Sequence, residues 1–163
     1  MSTTQQHGVA VKVYVPRDSA ALALGADEVA QSLQAEAARR GIALDLVRNG
    51  SRGLFWLEPM VEVETPQGRV AYGPVAPEDV AALLDAGLLQ GSTHPLCQGL
   101  TEQIPFLAKQ ERLTFARMGI TDPLSLADYA AHEGWQGLRK ALALAPEAIV
   151  QEVLDSGLRG RGG

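Results

Sequence analysis

The chain has 163 residues, a formal net charge of −5 and 46% hydrophobic residues, values typical of one globular domain with or without an appendage. Because a net-negative chain gains little from attraction to phosphate backbones, we expect no nucleic-acid partner. The single cysteine, Cys97, excludes an intramolecular disulfide and any cluster or zinc site that needs several thiolates of this chain. Residues 1–8 lack signal-peptide features, and no stretch approaches the roughly 18 apolar residues of a membrane span. We therefore expect a disordered tail at 1–8, a cytoplasmic location and no direct membrane insertion.

The first half of the chain alternates strand and helix patterns. Valine at every second position from 9 to 15 predicts a strand. The helix formers from Asp27 to Arg40, followed by Gly41, predict a helix with its stop, and residues 42–47 predict a second strand. A strand, a helix and a strand in this order form a right-handed parallel crossover.

Two short strands at 60–64 and 69–72 flank turn residues, which predicts a hairpin. Pro77 then stands at the first position of a further helix. This order of elements over residues 9–90 predicts an α/β fold, a small thioredoxin-like domain.

The second half carries glycine and proline over 91–104, which indicates a linker. The segment 111–118 is ambiguous between strand and helix. Ser125 with Asp128 predicts a helix with a capping box, and two further helices follow over 135–144 and from Pro146 onward. Residues 105–163 are therefore expected to be a helical appendage.

Few residues suggest chemistry. His94 and Cys97 form half of a metal site, but His7 and His132 stand at no ligand-like spacing, so a tolerated thiol is the preferred interpretation, and we expect no metal ligand and no catalytic residue. The last four residues, Gly160, Arg161, Gly162 and Gly163, combine glycine with a guanidinium, a composition that can cradle a phosphate. On chemistry alone a solvated basic tail is favoured, and an RNA-binding Arg-Gly-Gly segment is a third option.

The segment from Ser156 to Gly163 resembles the start of the signature that opens the flavin domain of the NADH-binding subunit of respiratory complex I. The same signature occurs in the diaphorase subunits of NAD-reducing hydrogenases and NAD-dependent formate dehydrogenases. The preceding residues, among them Ile104–Phe106, Asp122–Pro123 and Leu138–Leu142, resemble the same family, so the similarity covers about 101–163. It implies that residues 105–163 are a helical lead-in to a missing flavin domain. It also implies that Gly160, Arg161, Gly162 and Gly163 bind FMN and NAD there.

The first half resembles a thioredoxin-like [2Fe-2S] domain that lacks its ligands. The loop at 16–21, which carries two ligand cysteines in that family, contains no cysteine here. Ser51 and Phe55 occupy the positions of the other two ligand cysteines. Without thiolates no cluster is held. Phe55 and Trp56 are then expected to fill the space of the cluster; the alternative is a docking face formed by these two residues with Arg17 and Arg52.

Together the two resemblances imply an amino-terminal fragment of an NAD-dependent oxidoreductase of the formate dehydrogenase or NADH dehydrogenase type. The intact subunit would carry FMN, NAD and a [4Fe-4S] cluster, and this fragment alone would hold none of them and would not be catalytic. Its partners would be a [2Fe-2S] subunit and a molybdenum or tungsten catalytic subunit. The fusion of a thioredoxin-like domain to the flavin-domain lead-in, together with the sequence of Leu113–Gly119, favours the formate dehydrogenase β subunit. The alternatives are a hydrogenase diaphorase subunit, a complex I flavin subunit, or a free-standing non-redox thioredoxin-like binding module.

Overall fold

A computed structural model of the chain describes residues 10–160 and 162. The expected tail at 1–8 lies outside the described residues. The chain divides into two compact units, one up to Leu124 and the other from Ser125 onward, and each is described by itself. Within the described part of the chain, no helix combines the length and the apolar character that a membrane span requires.

The first unit is built on one five-stranded sheet with the order β2-β1-β3-β4-β5. The strands are β1 (Val11–Tyr14), β2 (Leu44–Val47), β3 (Val61–Thr65), β4 (Gly68–Tyr72) and β5 (Cys97–Leu100). The helices of this unit are α1 (Ser19–Ala23), α2 (Ala26–Arg40), α3 (Val80–Asp85) and α4 (Pro105–Ala108). β1 pairs in parallel with β2, and the other neighbouring strands are antiparallel. A parallel β1-α2-β2 crossover beside a β3-β4 hairpin and a following helix is a thioredoxin-like arrangement, which confirms the predicted α/β fold.

The core explains why these elements form. Val13 and Val15 are fully buried, and they belong to one cluster with Val29 and Leu33 of α2. Helix α2 ends at Arg40 and is capped by Gly41, whose φ of 66° is a left-handed conformation that glycine adopts without strain. Tyr14 alternates with the valines and so lies on the other face of β1, but it is also buried, because β1 is an inner strand between β2 and β3.

The structure differs from the predicted linker at 91–104. Residues Cys97–Leu100 form β5, which pairs with β4 in the register Tyr72↔Cys97 and Val70↔Leu100. A sheet edge offers unpaired backbone groups to any extended segment, so a short strand forms here without an apolar alternation in its sequence. The ambiguous segment at 111–118 consists mainly of turns and forms neither strand nor helix.

The second unit contains three helices, α5 (Leu126–Ala131), α6 (Gln136–Leu142) and α7 (Pro146–Asp155). The predicted cap is present, since Ser125 Oγ accepts a hydrogen bond from Asp128 N at 3.1 Å. Lys140 on α6 pairs with Glu152 on α7 at 2.6 Å. Among residues 125–160 no side chain is buried. The three predicted helices are confirmed, but this unit has no core of its own.

Candidate functional site

The loops that follow β1 and β2, where the resemblance placed cluster ligands, border one cavity of about 500 Å³. Its lining includes Asp18, Ser51 and Phe55. Asp18 caps α1, and its Oδ1 accepts hydrogen bonds from Ala20 N at 3.1 Å and Ala21 N at 3.2 Å. Its other oxygen, Oδ2, is buried and has no hydrogen-bond partner. The residues that line the cavity therefore include a buried carboxylate oxygen without a hydrogen-bond partner, and none of them is a cysteine.

Ser51 takes part in hydrogen bonds that support the loop. Its hydroxyl donates to Glu58 Oε1 at 2.8 Å and accepts from Gly53 N at 2.9 Å. Glu58 Oε2 accepts from Met60 N at 3.0 Å. Burial raises the pKa of Glu58, and these two hydrogen bonds oppose that rise only in part. Ser51 is thus tied to the turn that leads into β3.

The residues present do not fit an iron–sulfur cluster. Such clusters are held by cysteine thiolates, and Cys97 lies in β5, the edge strand opposite β2. Among residues 10–160 and 162, no group of three or more His, Cys, Asp or Glu side chains could hold a metal ion.

The expectation that Phe55 and Trp56 fill the place of the cluster is wrong. Both side chains are 58% exposed. The Trp56 ring meets the Phe106 ring edge to face, with centroids 5.1 Å apart. Arg52, which the alternative assigned to a docking face, is only 3% exposed. The two aromatic residues and the arginine therefore have different roles.

Arg52 belongs to a buried network of charges around Glu62, which is 1% exposed. Arg52 Nη2 pairs with Glu62 Oε1 at 2.9 Å, and its Nη1 pairs with Glu102 at 2.8 Å. Asn49 Nδ2 donates to Glu62 Oε2 at 3.3 Å, and Arg69 lies 3.8 Å from the same oxygen. Burial by itself would lower the pKa of Arg52, but the neighbouring carboxylates stabilise the charged guanidinium more strongly. The pKa of Arg52 is therefore raised above its ordinary value. No sequence pattern indicated this network, because its members are far apart along the chain.

The same side chains fix the irregular segment after α4. Asn49 Nδ2 donates to the Gly119 carbonyl at 2.7 Å, and Arg69 donates to the carbonyls of Gly119 at 3.2 Å and Ile120 at 2.8 Å. Arg112 donates to the Arg52 carbonyl at 2.7 Å. Buried and partly buried hydrogen bonds thereby attach this segment, which has no regular structure, to the sheet.

The glycine-rich end follows α7. Gly160 and Gly162 are exposed, and a Cβ added to either would meet no atom within 4 Å. Arg161 and Gly163 lie outside the described residues. The open backbone of the two described glycines is compatible with close approach of a phosphate. Cofactor binding by these four residues stays a prediction.

The chain is similar to parts of known oxidoreductase subunits. It is 47% identical over 55 residues, or 34% of the chain, to the NADP-reducing hydrogenase subunit HndC of Solidesulfovibrio fructosivorans. It is 63% identical over 35 residues, or 22% of the chain, to the F subunit of the NADH-quinone oxidoreductase of Streptomyces coelicolor. The corresponding Escherichia coli protein is 44% identical over 52 residues, or 31% of the chain. These stretches cover 8–12% of the relatives' own lengths. No protein-family model matches the chain.

Among solved structures, a thioredoxin-like [2Fe-2S] ferredoxin from Aquifex aeolicus is similar to the chain. Its TM-score is 0.47 with 23% sequence identity, and the alignment covers 56% of this chain and 93% of the ferredoxin.

Proposed function

We propose that this chain is the amino-terminal part of an NADH-binding flavin subunit in a multi-subunit oxidoreductase. The observation that carries the proposal is the local similarity to HndC and to the NADH-quinone oxidoreductase subunits. The glycine-rich end from Gly160 to Gly163, which resembles the flavin-loop signature, supports it. The intact subunit would transfer electrons between a partner oxidoreductase and NAD, with formate dehydrogenase as the favoured partner.

The role of this chain in the proposed reaction is placement. FMN, when bound, supplies hydride exchange with the nicotinamide and single-electron transfer onward. Gly160 and Gly162 would offer backbone N–H groups, and Arg161 a positive charge, to the phosphate of the flavin. Helix α7 would support this loop on one side, and a following domain would have to support the other.

The coding sequence beyond residue 163 is the first test. The proposal expects it to continue with Ala-Gly-Phe-Pro-Thr-Gly, as in the family that the end resembles. A stop codon directly after Gly163 would contradict the proposal and would favour a free-standing thioredoxin-like binding module.

Flavin binding is the second test. The 163-residue chain alone is expected not to bind FMN at micromolar concentrations in a fluorescence titration. Ordering each glycine-rich residue costs about 1–2 kcal/mol, and one or two charge-assisted hydrogen bonds return about 1.5–3 kcal/mol each. In the protein extended through the flavin domain, Gly162→Val should weaken FMN binding because the side chain blocks close backbone approach.

Gly137→Val is the matched control in that extended protein, because Gly137 also has no atom within 4 Å of an added Cβ. Equal FMN affinity of the Gly162 and Gly137 variants would remove Gly162 from the proposed site. Micromolar binding by the 163-residue chain alone would show that the site needs no following domain.

The partner is tested on the complex purified from its native cells. Formate-dependent reduction of NAD would support the formate dehydrogenase assignment. Hydrogen-dependent reduction, or NADH oxidation by quinone without formate activity, would replace it with the hydrogenase or complex I alternative. Iron and acid-labile sulfide analysis of the 163-residue chain should detect no [2Fe-2S] cluster, since the unit lacks the thiolates.

A further inference from the structure

Helix α7 ends in a turn that combines a serine and a glycine. The helix runs to Asp155, and Ser156 is its carboxyl cap. Gly157 follows with a φ of 66°, a left-handed conformation that glycine adopts at little cost and asparagine tolerates. Gly157 N donates to the Leu154 carbonyl at 3.1 Å. The helix therefore stops three residues before Gly160.

The Ser156 hydroxyl connects the two sides of this turn. It donates to the Val153 carbonyl in the last turn of α7 at 2.7 Å, and it accepts a hydrogen bond from Leu158 N at 3.2 Å. Within the described residues, the bond at Leu158 is the last hydrogen bond before the glycine-rich end. On this side, the position of the glycine-rich end therefore depends on Ser156 and Gly157.

The place at which the helix stops decides whether the glycine-rich end can bind an anion. Inside an α-helix each backbone N–H group is bonded to the carbonyl four residues earlier. If α7 continued through Gly157, the N–H groups of Gly160 and Gly162 would be used in this way. A phosphate cradle needs successive N–H groups that are free. The left-handed turn leaves these groups available.

The charge along the chain also changes sign at this turn. Asp155 and the unpaired carbonyl groups of the helix end are negative, and Glu152 in the same turn is already paired with Lys140. Beyond the turn the sequence contains Arg159 and Arg161. An anion is therefore disfavoured at the end of α7 and favoured beyond the turn.

We propose that Ser156 and Gly157 are positioning residues, whose turn holds the glycine-rich end in the conformation that binds the phosphate of FMN. The proposal rests on the proposed function, because it assumes that the glycine-rich end binds FMN. The two residues act by raising the fraction of molecules in which this segment is ready to bind, and the apparent Kd falls as that fraction rises.

Gly41 provides a matched control for Gly157. It also follows a helix with a φ of 66°, and a Cβ added at either glycine would meet no atom within 4 Å. Alanine is therefore strained to the same degree at both positions, but Gly41 precedes β2 in the first unit. A difference between the two variants reports the role of the turn after α7 and not a general loss of stability.

The test measures the Kd of FMN by fluorescence titration of the protein extended through the flavin domain. Gly157→Ala should weaken FMN binding about 5- to 30-fold, because alanine is strained in a left-handed conformation. Gly157→Asn should remain within about threefold of the unmodified protein, since asparagine tolerates this conformation. Gly41→Ala should change the Kd less than about twofold, although it carries the same strain.

The Ser156 hydroxyl is tested by a second pair of variants in the same titration. Ser156→Ala should weaken FMN binding about two- to tenfold, because the hydrogen bonds across the turn are lost. Ser156→Thr keeps the hydroxyl and should remain within about twofold of the unmodified protein.

Three results would overturn the positioning role while leaving the proposed function intact. They are an unchanged Kd for Gly157→Ala, an equal loss of affinity in Gly157→Asn, and an equal loss in Gly41→Ala. If the unmodified extended protein bound no FMN, the proposed function itself would fail, and the positioning role would fail with it.

Discussion

Replacement of Arg52 by methionine should strongly destabilise the first unit. The substitution keeps an apolar stem of similar length but removes the guanidinium, while Glu62 remains 1% exposed in the interior. The positive charge that remains nearest to the Glu62 carboxylate is Arg69, at 3.8 Å. Asn49 donates one hydrogen bond to this carboxylate at 3.3 Å. Leaving a buried charge without its partner costs about 3–5 kcal/mol. That loss is a large part of the roughly 5–15 kcal/mol by which a domain is stable.

The free energy of unfolding is measured by urea titration with far-ultraviolet circular dichroism. The double variant Arg52→Met with Glu62→Leu should recover most of the loss, because apolar residues of similar volume replace a buried ion pair at little cost. Arg39→Met is the matched control: its partner Glu36 lies at 2.6 Å, but the arginine is 64% exposed and solvent screens the pair. A loss below about 1 kcal/mol for Arg52→Met, or no recovery in the double variant, would refute the network as a determinant of stability.

Two further substitutions test single features of the first unit. Burial raises the pKa of Glu58 above 4.5, so the native state binds more protons than the unfolded state and stability falls as pH rises from about 4.5 through the raised value. Glu58→Gln can keep both hydrogen bonds, because its amide NH₂ can donate to Ser51 and its carbonyl can accept from the backbone N–H. Urea midpoints of this variant, measured from about pH 4 to 8, should no longer fall as the pH rises. A pH profile equal to that of the unmodified protein would contradict the assignment. Gly119→Ala should lower the free energy of unfolding by more than Gly41→Ala does. Both substitutions cost about 1–2 kcal/mol because alanine is strained in a left-handed conformation. Only at Gly119 would the new Cβ also overlap the Arg52 side chain. Equal urea midpoints for the two alanine variants would show that Arg52 moves aside freely.

The elements that could be predicted from the sequence are those with a local cause. The valine alternation indicated β1, Gly41 marked the end of α2, and Ser125 and Pro146 marked the starts of α5 and α7. In each case the signal and the structure lie within a few residues of one another. Fold topology followed from the order of such elements, because few arrangements satisfy a parallel crossover beside a hairpin.

The elements that escaped prediction depend on contacts between distant residues. β5 exists because β4 offers it backbone groups, and its own residues, Gly99 among them, show no strand pattern. The buried position of Arg52 depends on Glu62 and Glu102, which lie 10 and 50 residues further along the chain. The resemblance placed Ser51 at the position of a cluster ligand. The hydrogen bond from Ser51 to Glu58, which lies seven residues further along the chain, could be seen only in the structure.

The three helices from residue 125 to 160 have a consequence for the dynamics of the protein. Helices of six to ten residues are marginal in water without tertiary support, and in this stretch no side chain is buried. The free energy of opening these helices is therefore far below that of the sheet, so their amide hydrogens should exchange with deuterium much earlier than those of β1 or β3. A surface that shields the apolar residues of α7, such as Val150 and Leu154, would slow that exchange. The order of this unit is then itself a measure of what is bound to it.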